Sequence, residues 1–411
     1  MHSLGPSGTT QADLYTPLRL PVILIGDHKL GGISLTISAF ESLRIRGYDV
    51  ELVLMFREKS RRNYRFLTQY FWSRYRILVG TVSLPPPISV DAGDDEMVRY
   101  YRQASALPDI AKHLGLLATC HEYRINRLQS MTAHARERIW FPFEQHKTLR
   151  PNGLTVIDSG HGDHFQTVPK GPRSALDALL IPTLDGSASW WTRGLGHGNS
   201  KLSLTAAYAA GRYGYVTLAG AVHEPGLLLA ETLREGLQNP RISRAFFSDN
   251  GSTGIKVACN MALHAVRGRY RWDEWDDGDI EVLGLMGTYH GPSKTIGHMD
   301  PMDLNPFDYN VDWHNPKGCW VDYPWVSCMN GQWTIQMPGI WIPDSKDNDT
   351  LAFASLHDVF DLDKRLQDPK IRAIYEYRIL KVLDSGKTKR RKFGALLMEP
   401  IVLGAGGMML V

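Results

Sequence analysis

The chain has 411 residues, 43% hydrophobic and 22% charged, with a formal net charge of +3. That length allows two or three domains around sizeable cores, and so small a net charge gives no electrostatic case for nucleic acid or a membrane surface as partner. No run approaches the ~18 apolar residues of a membrane-spanning helix. The opening "MHSLGPSGTTQADLY" has neither a signal-peptide core nor an Arg-rich amphipathic presequence. The four cysteines, Cys120, Cys259, Cys319 and Cys328, lack paired spacing, which argues for a reducing compartment and against a disulfide framework.

In chain order, residues 21–56 predict a β-α-β unit. "PVILIG" is an apolar strand, and "SLTISAFESLRIRG" puts Ile37, Phe40 and Leu43 at helical spacing, with Ser34 as N-cap and Gly47 as stop. "YDVELVLMF" is the return strand. Residues 84–95, "LPPPISVDAGDD", have linker composition, and 96–137 reads as charged amphipathic helix. A second α/β region begins near Arg138. Its expected strands are 214–220, 244–249, 279–287 and 392–400, and its expected helices are 200–212, 225–237 and 253–267. Alternation of this kind argues for a mostly parallel sheet with helices on both faces. The run Phe393–Met398 reads as a buried strand, and residues 300–350 show little periodicity.

Three places could carry chemistry. In "RAFFSDNGSTGIKVACNMALHAVRG" a strand ending at Phe247 leads through Ser248, Asp249 and Asn250 to Gly251 and Ser252. A helix follows, with Ile255, Ala258, Met261, Ala262 and Ala265 on one face and Gly268 at its end. A glycine and hydroxyls at a helix N-terminus suit a phosphate cradle, and they equally suit an ordinary N-cap. "LMGTYHGP" delivers Tyr289 and His290 to a strand's carboxyl end, where a ring could stack on a planar cofactor or be a packed tyrosine with its hydroxyl satisfied. "GSASWWTRG" sets Trp190 and Trp191 in a turn, so that one indole can be core while the other lines a cleft. "HGDH" at 161–164 lacks the ligands to complete a metal site, and no metal is expected. "SGKTKRRK" at 385–392 ends like a P-loop, but Lys381 stands where the motif's first glycine belongs, so a solvated basic loop is expected. The acidic "WDEWDDGDIE" at 272–281 lacks the spacing of a calcium loop.

The pieces "RIWFPFEQHK", "SASWWTRG", "FFSDNGSTGIKVACNMAL", "YHG" and "MEPIVLGAGGMM" occur in an order that resembles the class III aminotransferases, most of all the adenosylmethionine-8-amino-7-oxononanoate branch. Upstream, "ADLYTPLRLPVILIGDHKLGGISLTISAFESLRIRGYDV" is similar to the C-terminal part of dethiobiotin synthetases. The order of the two resembles the fused bifunctional biotin-synthesis proteins of plants and fungi. The resemblance implies residues 1–83 as the tail of a P-loop-type α/β synthetase domain and 84–137 as a linker and helical connector. It implies residues 138–411 as the first part of an α/β domain of the pyridoxal-phosphate type I fold. It further implies pyridoxal 5'-phosphate as cofactor and S-adenosylmethionine and 8-amino-7-oxononanoate as substrates. A homodimer in the mitochondrion or cytoplasm is expected, without nucleic acid or membrane as partner.

Carried over by position, Gly251 and Ser252 hold the cofactor phosphate, Tyr289 stacks on its ring, and Trp190 lines the substrate pocket. Phe143 stands in that pocket where bacterial members have a tyrosine. Glu399 belongs to the family's "EP" segment and is given no chemical step. "YHGPSKT" departs from the family's "YHGDT". The family's aspartate facing the pyridine nitrogen and its cofactor-binding lysine follow "GAGGM" at positions beyond Val411, and the synthetase P-loop precedes the equivalent of "MHSLGPSG". The expectation is therefore an internal stretch of a longer chain, inactive alone in transamination. The alternative is a non-catalytic scaffold that docks on a full-length homologue.

Overall fold

The apolar run ahead of Gly26 and the one behind Tyr48 form neighbouring parallel strands, as their patterning predicts. The computed structural model describes residues 2–58, 60–87, 95–141, 147, 150, 153–170, 179–272, 280–286, 288, 290, 318–337, 350–388, 391–399, 401–404, 407, 409 and 411. They fall into two compact units, Met1–Val222 and His223–Val411.

The first unit opens with α1 (Gln11–Leu14), then β1 (Val22–Gly26), α2 (Gly32–Ile45), β2 (Val50–Arg57), α3 (Asn63–Tyr75) and β3 (Leu78–Ser83). The three strands form a parallel sheet in the order β1-β2-β3. Phe40 and Leu43 from α2 and Leu67 and Phe71 from α3 bury against Leu24, Val50, Val53 and Met55. Phe40 and Phe71 meet edge to face at 4.9 Å. Each such side chain contributes about 1.5–3 kcal/mol on burial, so this cluster is a firm local core. Helix α2 starts before the expected Ser34. Gly31 is its N-cap at φ 84°, and Gly32 lies so close to the Asp27 carbonyl that a Cβ would collide with it. Gly47, at φ 82°, ends the helix as expected.

The expected helix over 96–137 is two helices, α4 (Asp95–Ser105) and α5 (Pro108–Arg138). Leu107 is extended, because a residue before proline is pushed out of the helical region, and Pro108 then starts α5. Helix α5 has 31 residues. It lies against β3 at Gly80, where a Cβ would strike the ring of His113. Further along, Arg124 forks onto Asp158, with Nε donating to Oδ1 at 2.9 Å and Nη2 to Oδ2 at 2.5 Å, and its Nη1 donates to the Arg19 carbonyl at 3.3 Å. The Asp158 side chain is 5% exposed.

An antiparallel sheet follows, formed by β4 (Ile157–His161), β5 (His164–Thr167) and β6 (Ile181–Leu184). The "HGDH" stretch is the hairpin turn between β4 and β5, with Gly162 at φ 56°. A single turn, α6 (Ala188–Trp191), leads to α7 (Ser200–Tyr213), capped by the Asn199 side chain. The strand expected at 214–220 does not form; that segment is irregular.

The second unit begins with α8 (Glu224–Leu237). The strand expected at 244–249 likewise does not form; that segment is irregular and unpaired in any sheet among the described residues. Next come α9 (Gly251–Tyr270), β7 (Ile280–Leu285), β8 (Cys319–Val321), β9 (Trp325–Met329), β10 (Gln332–Gln336) and β11 (Thr350–Phe353). The unit closes with α10 (Leu356–Phe360), α11 (Leu362–Gln367), α12 (Pro369–Thr388) and β12 (Lys392–Leu397). Strands β12, β7 and β8 form a parallel sheet in that order. Strand β12 was expected to be buried. It is half-buried, with Leu396 62% exposed, because it is an edge strand among those described.

Strands β9 and β10 form a hairpin on Asn330 (φ 53°) and Gly331 (φ 78°) and pair with β11. Part of the aperiodic 300–350 region is therefore sheet. Of the basic run expected as a loop, residues through Thr388 continue α12. No helix among the described residues is long and apolar enough to cross a membrane.

Candidate active site

Helix α9 is 20 residues long, and its N-terminus is built by "SDNGSTG". Asn250 is the N-cap. Its backbone is extended and its side-chain oxygen accepts from the N–H of Thr253 at 2.9 Å. Its carbonyl accepts from the N–H of Gly254 at 3.1 Å. The N–H groups of Gly251 and Ser252 have no acceptor among the described residues, and neither does the Ser252 hydroxyl. Gly251 is exposed, and a Cβ there would meet nothing within 4 Å. At Gly254 a Cβ would come within 3.1 Å of the Ser248 hydroxyl oxygen, which itself donates to the Asn250 carbonyl at 2.8 Å.

The body of α9 fixes where this terminus lies. Cys259 is buried and packs with Ile255, Leu263, Val282, Trp320, Ala395 and Leu397. The sequence put Ile255, Ala258, Met261, Ala262 and Ala265 on one face; Ile255 does pack in the core, but Met261 is 59% exposed, and the core face is the one through Ile255, Cys259 and Leu263. Gly394 backs onto Leu263 and Val266, whereas Ile255 belongs to the cluster with Leu397. The helix thus runs against the strand direction, and its N-terminus lies at the carboxyl end of the parallel sheet, the ligand-binding end of such sheets. The helix continues past Gly268 to Tyr270, where Arg271 caps it in the left-handed region.

The same edge carries three ionisable groups. His290 is 8% exposed, and its Nε2 has no partner among the described residues. Burial holds the imidazole below its usual pKa, against the opposing pull of Glu399. Tyr323, after β8, is 9% exposed, and burial followed by Glu399 and Asp322 raises its hydroxyl. The Glu399 carboxylate accepts from the N–H of Gly404 at 2.6 Å. A neutral imidazole, a neutral phenol and one carboxylate therefore stand together beyond β7, β8 and β12. Reading "YHG" for its tyrosine gave the histidine no role, and Tyr323 had no motif to mark it. A cavity of about 440 Å³ along α9, at Asn260, His264 and Arg267, lies toward the helix's other end and away from this edge.

Of the residues expected at the site, Gly251 and Ser252 are adjacent at the α9 N-terminus. Tyr289 and Phe143 lie outside the described residues. Trp190 belongs to the first unit and is 71% exposed. It sits in a turn where Ala188, Ser189 and Trp190 take φ values of 46°, 48° and 57°. Three consecutive non-glycine residues in the left-handed region cost about 1–2 kcal/mol each, so other contacts must hold them. Those contacts centre on Asp185, which accepts from the hydroxyls of Ser189 (2.8 Å) and Ser187 (3.2 Å) and from His197 Nε2 (2.9 Å). The Ser189 hydroxyl, then His197, then the Ser189 N–H lower the Asp185 carboxyl to about 2.

Pyridoxal phosphate can be tested against this donor set. Two unspent N–H groups, a hydroxyl and the positive end of a long helix are what a phosphate dianion requires, and open space at Gly251 lets it approach. The residues present fit the phosphate end of that cofactor.

No family model matches the chain. It is 43% identical, over its whole length, to the bifunctional dethiobiotin synthetase/adenosylmethionine-8-amino-7-oxononanoate aminotransferase of Emericella nidulans, covering 52% of that protein. It is 35% identical over its whole length to the mitochondrial bifunctional dethiobiotin synthetase/7,8-diamino-pelargonic acid aminotransferase of Arabidopsis thaliana, covering 48% of it. The chain thus spans about half the length of the curated relatives it matches. The adenosylmethionine-8-amino-7-oxononanoate aminotransferase of Synechococcus elongatus is 35% identical over 41% of this chain and 35% of its own length. Among solved structures, an omega transaminase from Pseudomonas jessenii in complex with PMP aligns with 68% of this chain and 51% of its own at 16% identity, with a TM-score of 0.46.

Proposed function

We propose that the chain is part of a bifunctional biotin-synthesis protein and that its region from about 138 onward belongs to a pyridoxal-phosphate aminotransferase of the type I fold. The reaction is transfer of an amino group from S-adenosylmethionine to 8-amino-7-oxononanoate, and residues 1–83 derive from a dethiobiotin synthetase. Whole-length similarity to proteins of that name supports the assignment. The structural observation that carries it is the pair of unspent N–H groups at Gly251 and Ser252, set at the carboxyl edge of a parallel sheet. Names of plant relatives that include "mitochondrial" favour the mitochondrion over the cytoplasm.

When bound, pyridoxal phosphate supplies the aldehyde and the electron-withdrawing ring through which amino groups are exchanged. This chain's residues bind and orient. Gly251 and Ser252 hold the phosphate, Tyr289 stacks on the ring, and Trp190 and Phe143 line the substrate pocket of a homodimer. His290, neutral by burial, presents an unspent Nε2 at the same edge.

The test is calorimetric binding of pyridoxine 5'-phosphate, which lacks the aldehyde, to the full-length protein. Ser252→Ala should weaken it about tenfold, in keeping with one hydrogen bond to a charged group, while unphosphorylated pyridoxine binds alike to both. Equal affinity of the two proteins for the phosphorylated ligand sinks the cradle.

A further inference from the structure

The segment from Asp185 to His197 is closed on itself and pinned at both ends to one hairpin turn. Asp185 N–H donates to the Asp163 carbonyl at 2.8 Å. His197 and Gly162 exchange two backbone hydrogen bonds, of 2.8 and 3.0 Å. The His197 ring packs on Phe165, with centroids 4.2 Å apart, so its orientation is fixed. Across the closed segment, Asp185 Oδ2 accepts from both His197 Nε2 and the Ser189 hydroxyl. A carboxylate only accepts, so Nε2 carries the proton. The side chains of this pair are 9% and 10% exposed. Their shared contact reaches directly into the left-handed turn, one residue before the largely exposed Trp190.

We propose that Asp185, oriented by His197, is a positioning residue that locks the Ala188–Trp190 turn and so holds the Trp190 indole toward substrate. The proposal rests on the reading of Trp190 as a pocket residue. The chemistry is one of preorganisation. A strained backbone presents a rigid aromatic platform without paying for its ordering at each binding event. Such a device acts on substrate capture and leaves the reacting groups untouched, so its signature is a split between KM and kcat.

The experiment uses the full-length protein labelled with 5-fluorotryptophan. The Trp190 ¹⁹F resonance is assigned by its loss in Trp190→Phe. Asp185→Ala and the milder Ser189→Ala should shift or broaden that resonance. His197→Gln, whose amide N–H can replace the Nε2 donor, should leave it near the wild-type position. Asp185→Ala should raise KM for 8-amino-7-oxononanoate about tenfold with kcat within about twofold, and Trp190→Phe should raise KM as well. If Asp185→Ala does not fold, Ser189→Ala carries the same test. An unmoved Trp190 resonance in Ser189→Ala overturns the lock. A moved resonance with KM unchanged in Trp190→Phe overturns the pocket reading, and the proposal falls with it, so the two failures are told apart by which readout stays still.

Discussion

At the scale of single residues, the α9 terminus separates folding from binding in a way few sites allow. Gly251 has an ordinary backbone and empty space where a Cβ would go. Gly251→Ala should therefore leave the urea midpoint unchanged while lowering affinity for pyridoxine 5'-phosphate, since the methyl enters the space through which an anion reaches the N–H pair. A drop in the midpoint would show that the glycine serves the fold. His290 makes the opposite kind of prediction. Its folded pKa lies below the unfolded value of 6.5, so the unfolded chain binds the extra proton first. Its contribution is intact above pH 6.5 and is lost as pH falls through the folded pKa. His290→Gln should flatten the fall in urea stability on the acid side of that value; an unchanged slope would mean that the imidazole is not buried neutral. Asp185 titrates in the same direction but lower, its share lost between about 4 and 2.

At the scale of elements, the parallel sheet of the second unit has a position with little tolerance. A Cβ on Gly284 would run into the indole of Trp320 on the adjacent strand. Gly284→Ala should cost about 1–3 kcal/mol in urea unfolding, as overpacking does, with altered near-ultraviolet circular dichroism from the displaced indole. Wild-type stability would mean that the ring has room to turn. Elements also show what the sequence could reveal. β1, α2, β2, α7, α8, α9, β7 and β12 were legible from apolar spacing and turn residues such as Gly47, although α2 is capped by Gly31 rather than Ser34 and α9 runs past Gly268. The segments 214–220 and 244–249 have the right composition for strands but find no partner among the described residues; pairing is a tertiary fact that composition does not contain. The β9–β10 hairpin was announced by Asn330-Gly331, a strong turn signal hidden in a region dominated by Trp, Pro and Asp. The start of α9 at Gly251 could be read because a helix start has a local grammar. The Asp185–His197 pair could not, because its members meet only when the segment between them closes on the β4–β5 turn.

At the scale of the whole chain, the described residues supply binding groups for a phosphate at the N-terminus of α9. The 411 residues should therefore bind pyridoxine 5'-phosphate in calorimetry, and the absence of a binding heat would remove the phosphate cradle. If the chain also transfers amino groups, peptide mapping after borohydride reduction would locate the lysine that holds the cofactor.

Helix α5 bears on how such a protein can change over time. It touches β3 through His113 and Asp158 through Arg124, anchors about three turns apart and so on nearly one face. One inserted residue between them would swing the second anchor through about 100° and strand a buried carboxylate. Point substitutions on the outer side, at Tyr123 or Leu114, both well exposed, disturb neither anchor. Insertions and deletions should thus be purged between positions 113 and 124 while substitutions accumulate freely on the outer face, leaving a stretch of fixed length and drifting sequence.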